Sequence, residues 1–393
     1  MPSPNLRSAN PMNVLLPFDA DEIERRKQLF RDLWAGKPLD HVPVLINVVN
    51  PTPRYAVREQ FLDADKQLEE ALRCVSLTWT LIPQSDTVPA MRPDVGCSCL
   101  ATAFGAQLFW GDDSRQTCGV REPVLHDVEE AYALAVPPAD AGQLEEGTRR
   151  VARFAEAGQG LVSVSLLDMA GGLNVAADLL GSTELYVAMR ENPEALECLL
   201  AKIQDLFLAA IERQIKAAGG EQYITTTDFP DYWFPEGSKG HVSDDISANI
   251  SPKLYARFST PFHNRVLARY GGGLHNCGPN PCLDGYMSHT PPLRCLDLSY
   301  PYSRNDLPSI KRACAGRAFV ILGGFPSAPD EAVNTFREIR DLMVPDVVVV
   351  PALSVVPDSD PSALYRRMRV VADEYARRMN WGWRSEPHEV SKP

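Results

Sequence analysis

The chain has 393 residues, 45% of them hydrophobic, and its 39 Lys and Arg against 51 Asp and Glu leave a net charge of −12. That much apolar sequence supports a large buried core, and an acidic chain without a basic cluster argues against nucleic acid or an anionic membrane surface as the main partner. No apolar run approaches the roughly 18 residues of a membrane span, and the first 17 residues lack the charged-then-apolar pattern of a signal peptide.

The predicted elements alternate along the chain. Residues 1–20 read as a flexible extension rich in Pro, Asn and Ser. A helix at 21–34 opens on acidic residues and stops at Gly36-Lys37-Pro38. A buried strand follows at 42–48, a helix at 64–80, a short strand at 86–90 and a β-rich strand at 161–166. Helical segments cover 173–190. A long amphipathic helix at 193–218 carries Pro in its first turn and Gly219-Gly220 past its end. A strand at 223–227 leads into a long acidic and aromatic loop, then a helix at 252–270 closed by Gly271-Gly272-Gly273. From there strands at 273–277, 294–298, 319–322 and 347–350 alternate with helices at 280–288, 307–315, 330–342 and 361–379. Apolar, β-branched strands separated by helices of this length imply parallel strands buried on both faces. About eight such units predict a single α/β domain at 21–385, a (β/α)8 TIM barrel, with a tail at 386–393. An open doubly wound sheet is the alternative, but no strand leads into a Gly-rich nucleotide loop.

Chemistry concentrates where strands end. His275 and Cys277 sit two apart at a strand end, so their side chains share a face, and imidazole nitrogen and sulfur are both zinc ligands. On the next strand Asp297 is placed to act as a ligand or as an acid–base group. The loop Thr227-Asp228-Phe229-Pro230-Asp231-Tyr232-Trp233-Phe234 offers Asp228, Tyr232 and Trp233 as the walls and polar groups of a small-molecule pocket. The nine cysteines form no disulfide framework, which fits a reducing cytosol and a cytoplasmic protein.

The run Ser243-Asp244-Asp245-Ile246-Ser247-Ala248-Asn249-Ile250-Ser251-Pro252, with Tyr255, Pro261-Phe262 and then Gly273-Leu274-His275-Asn276-Cys277-Gly278, resembles the uroporphyrinogen decarboxylase superfamily. The order looks most like its methyltransferase branch, zinc-dependent barrels that move methyl groups between a corrinoid protein and a thiol such as coenzyme M. The resemblance implies zinc at His275 and Cys277, a corrinoid carried by a partner protein, a small-molecule substrate and a homodimer. It makes Asp244, with Asp245 beside it, a catalytic candidate, Asp244 being closest to the Asp that contacts pyrrole nitrogens in the decarboxylase, while Asp297 is a catalytic candidate by its strand position. Two departures stand out. The third zinc ligand of that branch, a Cys after the last strand, is missing from Val350-Pro351-Ala352-Leu353-Ser354. Of the decarboxylase's two carboxylate-gripping Arg residues only the second has a match, as Arg54-Tyr55, with Asn50 in place of the first. The readings are a methyltransferase or demethylase half-reaction, a metal-free carboxy-lyase acting on a carboxylated ring compound, and a barrel kept as a non-catalytic binding protein.

Overall fold

A computed structural model describes residues 18–111 and 118–383. The expected N-terminal extension, but for its last residues, and the tail at 386–393 lie outside the described residues. The strands are β1 (Leu45–Val48), β2 (Ala90–Met91), β3 (Leu108–Phe109), β4 (Gly119–Val120), β5 (Ser163–Val164), β6 (His241–Ser243), β7 (Gly273–Asn276), β8 (Cys295–Ser299), β9 (Phe319–Gly323) and β10 (Val349–Val355). Six of them form one parallel sheet in the order β1-β10-β9-β8-β7-β6, β2 and β5 pair in parallel, and β3 and β4 make a small antiparallel ribbon. The molecule is thus mixed α/β, with helices connecting parallel strands.

The apolar strands are buried as their composition requires. In β8 and β9 every residue but the last is buried, and in β10 only Ser354 breaks the run. The helix Pro193–Ala217 buries Leu196, Leu199, Ile203, Leu206, Phe207 and Ile211 along one stripe, each contributing about 1.5–3 kcal/mol of transfer free energy. Among the described residues no helix is long and apolar enough to cross a membrane.

Several expected boundaries shift for identifiable reasons. The segment 223–227 is not a ladder strand. It begins as the 3-10 turn Glu221–Tyr223, and Ile224 makes a single bridge to Val164. Its threonines bond backbone through their hydroxyls instead: Thr225 Oγ1 donates to Pro230 O (2.9 Å), and Thr227 Oγ1 accepts from His241 N (3.0 Å). The strand that continues the sheet is β6, 14 residues later and too short to read from periodicity. The predicted helix 252–270 divides at Ser259 into Pro252–Phe258 and Thr260–Tyr270, because Pro261 supplies no N–H and crowds the preceding turn. The segment 173–190 divides at Gly181, whose φ of 83° ends one helix and starts the next. A helix at Gln143–Gly158 has no counterpart among the expected elements.

Register places the chemistry. His275 on β7 lies opposite Ser243 on β6 and Asp297 on β8. The close entry of β7 depends on Gly272 (φ 113°), where a Cβ would lie 1.6 Å from Gly240 O.

Candidate metal centre

His275 and Cys277 converge at the C-terminal end of β7, with His275 Nε2 3.4 Å from Cys277 Sγ. Asp245 joins them from the loop after β6, its Oδ1 3.9 Å from His275 Nε2. Donor atoms of Asp245, His275 and Cys277 all lie within 4.8 Å of one another. That spacing suits ligands around a tetrahedral ion, with bonds of about 2.0–2.3 Å to N, O and S. Asp245 also accepts a hydrogen bond from Cys277 N through Oδ1 (2.9 Å), and Asp244 N donates to His275 O (3.0 Å). The loop after β6 is therefore tied to the end of β7 at two backbone points.

Asp297 stands behind the imidazole. Its Oδ2 accepts from His275 Nδ1 at 2.9 Å and lies 3.5 Å from His241 Nε2. This fixes the His275 tautomer and turns Nε2 towards Cys277 and Asp245, the carboxylate–imidazole arrangement that supports metal ligands. Burial works to discharge His275, but the Asp297 carboxylate outweighs it and raises the imidazole's pKa well above its usual value. For Asp297, burial opposes ionisation, yet His275 and His241 together hold its pKa at about 2. Phe229 closes one side, its ring edge-on to His275 at 5.0 Å and to His241 at 5.2 Å.

The other sequence candidates are dispersed. Asp244 is 2% exposed and faces inward: Oδ1 accepts from Ser247 N (3.1 Å), and Oδ2 lies 3.7 Å from His263 Nε2. Burial pushes its pKa up to about 7. Asp228 is fully buried, and its Oδ1 accepts from Met169 N (2.9 Å). Burial, reinforced by Asp168, raises its pKa well above the carboxylate range. Trp233 is in the core, with Lys239 Nζ 4.5 Å from its ring centroid. Tyr232 is half-buried, with burial and Asp297 raising its phenol pKa. Arg54 is 56% exposed and pairs with Glu69, which also accepts from Tyr55 Oη (2.9 Å). Arg54 and Tyr55 hold each other's loop, and neither touches His275 or Cys277. Cys282 packs in the core with its Sγ 3.5 Å from Ser247 O.

Sequence reasoning missed His241 and the place of Asp245 beside His275 and Cys277, and it did not single out Phe229 within the aromatic loop. His241 was hidden in a three-residue strand.

The structure defines a class: an α/β protein whose neighbouring parallel strands present a His–Cys–Asp cluster at their C-terminal ends. No protein-family model matches the sequence, and comparison with curated proteins gives no significant match. Among solved structures the chain is similar to a methyltransferase from Methanosarcina mazei, with a TM-score of 0.63 and 17% identity over 90% of this chain and 98% of that one.

Proposed function

We propose that the protein is a metal-dependent methyltransferase that moves a methyl group between a small molecule or a corrinoid protein and an acceptor activated at the Asp245–His275–Cys277 cluster. The observation that carries this reading is the convergence of three donors of zinc-compatible type within 4.8 Å, with Asp297 fixing the imidazole from behind. The methyltransferase of similar fold supports it. Three protein ligands leave one coordination position open, the pattern of catalytic rather than structural zinc sites. Asp245 thus takes the place of the missing C-terminal Cys.

When bound, a zinc ion would supply Lewis-acid chemistry, favouring deprotonation of an acceptor thiol near neutral pH. The chain's own residues do the rest. Asp297 keeps a proton on His275 Nδ1, so Nε2 faces the cluster. Cys277 N holds Asp245 Oδ1 in position, and Phe229 keeps water from one side of the imidazole. Asp244 serves the site indirectly, by capping the 3-10 turn Asp245–Asn249 through Ser247.

The proposal extends to the architecture. We read the eight parallel strands β1, β2 and β5–β10 as one closed barrel. Thr87 Oγ1 links β2 to β1 by accepting from Ile46 N (3.1 Å). Thr225 N donates to Val164 O (2.9 Å), and the same segment bonds His241 at the start of β6.

The test is zinc content by plasma mass spectrometry on untagged protein beside His275→Ala/Cys277→Ala and Asp245→Asn. Near-stoichiometric zinc lost in the double variant and reduced in Asp245→Asn is expected. Negligible zinc in all three after zinc is supplied would sink the metal reading. Methyl transfer is then assayed from methylcobalamin to a panel of thiols, where no turnover by the zinc-loaded protein would count against the reaction.

A further inference from the structure

A cavity of about 230 Å³ lies between β1, β2, β10 and the helix Ala64–Leu81, and a second of about 340 Å³ adjoins it. They share Val49, Ala71, Cys74 and Arg92. The first has an apolar body, with Val48, Val75, Trp79 and Met91 among its walls, and a polar end made by Asn47, Ser354, Arg92 and Asp231. Asn47 and Ser354 are register partners on β1 and β10, and Ser354 is open although its strand neighbours are buried. Neither side chain hydrogen-bonds another described residue, so their donors and acceptors are open to a ligand.

The two arginines of this cavity differ in kind. Arg26 is spent within the fold, donating to Thr87 O and Pro83 O at 2.7 Å each and to Glu22. Arg92 follows β2 and keeps 39% of its side chain open, and among the described residues its only ion pair is a loose one with Asp94 at 3.8 Å. Asp94, Asp168, Asp231 and Asp228 surround it and raise its pKa despite burial, but none of them hydrogen-bonds the guanidinium. Asp94 accepts from Gly96 N, Asp168 from Ala170 N and Asp228 from Met169 N. Burial raises the Asp231 pKa, and Arg92 works against that rise. A guanidinium with a free fork of donors is the group best suited to a carboxylate. Arg92 also stands next to the candidate metal centre: its Cζ is 6.0 Å from the Phe229 ring centroid, and Phe229 is 5.0 Å from that of His275.

We propose that this cavity binds a small carboxylate-bearing molecule with an apolar body, its carboxylate on Arg92, Asn47 and Ser354 and its body against Trp79, Val75 and Met91. Resting on the methyltransferase reading, this molecule is the methyl donor or acceptor, with its reacting atom directed past Phe229 towards His275. The first cavity falls below the roughly 300 Å³ at which drug-sized pockets begin, so the ligand is about the size of a single substituted ring.

Isothermal titration of the full chain with phenylacetate, phenylacetamide and phenethylammonium tests this, because the three share a shape and differ in charge. Phenylacetate should bind at least tenfold more tightly than the amide, and the ammonium should give no heat. Arg92→Gln should bring the acid down to the level of the amide without changing the amide, and Arg92→Lys should restore part of the preference. Trp79→Ala should weaken acid and amide alike. Equal binding of acid and amide, a preference for the ammonium, or no binding of any of the three would overturn the inference. Zinc content is measured on the same samples. Phenylacetate binding without zinc would support this site while sinking the metal reading, and stoichiometric zinc without phenylacetate binding would sink this inference alone.

Discussion

Replacing Asp297 by Asn tests the link between strand register and metal affinity. The side chain is 5% exposed, accepts from His275 Nδ1 at 2.9 Å and lies 3.5 Å from His241 Nε2. Asn keeps the shape but loses the charge. Its amide can also donate to Nδ1, which would favour the tautomer with the proton on Nε2 and block that nitrogen from a metal. Loss of such a supporting carboxylate typically costs 10–100-fold in metal affinity, or about 1.4–2.7 kcal/mol. We expect Asp297→Asn to bind zinc within that range more weakly in competition with a chromophoric chelator, with an unchanged far-UV circular dichroism spectrum. Zinc affinity within twofold of wild type would refute the idea that Asp297 orients a ligand.

Three further outcomes follow from the same geometry. Burial raises the Asp244 pKa to about 7, so the folded state holds its proton more tightly than the unfolded chain does. Its effect on stability is absent below pH 4 and grows as pH rises towards 7, to a loss on the order of 4 kcal/mol. Urea unfolding should show Asp244→Asn more stable than wild type at pH 8 and little different at pH 4, and parallel pH slopes for the two proteins would contradict this. A Cβ on Gly171 would lie 1.6 Å from Ser243 O. Gly171→Ala should therefore cost at least about 1–3 kcal/mol and weaken zinc binding by displacing the loop that carries Asp245. Gly119→Ala, where the new methyl meets only Phe109 at 3.6 Å, is the control, and equal unfolding midpoints would dismiss the close-approach argument. Finally, Arg54→Gln should leave zinc content unchanged, because Arg54 is bound to Glu69 at the surface; lost zinc would mean the loop after β1 reaches the site.

Much of the parallel sheet was legible because its strands are buried on both faces. Continuous apolar runs such as Phe319-Val320-Ile321-Leu322 need no context to be read. The His-x-Cys pair was legible because strand periodicity alone puts both side chains on one face. What escaped depended on partners distant in sequence. Asp245 is a ligand candidate because Cys277 N, 32 residues away, holds its carboxylate, and local spacing carries no trace of that bond. The threonines at 225–227 have strand propensity, but their hydroxyls take up backbone groups that a ladder would have used. Arg54 matched a motif by position, yet Glu69 on the helix Ala64–Leu81 claims it.

The tie between Cys277 N and Asp245 Oδ1 separates where the candidate ligands stand from what they are. It is made by a main-chain amide, so it survives any change of side chain at position 277 except to proline. If the cluster holds an ion, its preference could then be altered at residue 277 while Asp245 keeps its place. Soft sulfur selects zinc, whereas a carboxylate in its place would turn the same cage towards harder ions such as manganese or magnesium. A metal centre fastened by backbone in this way would let a single codon decide which element of the periodic table it holds.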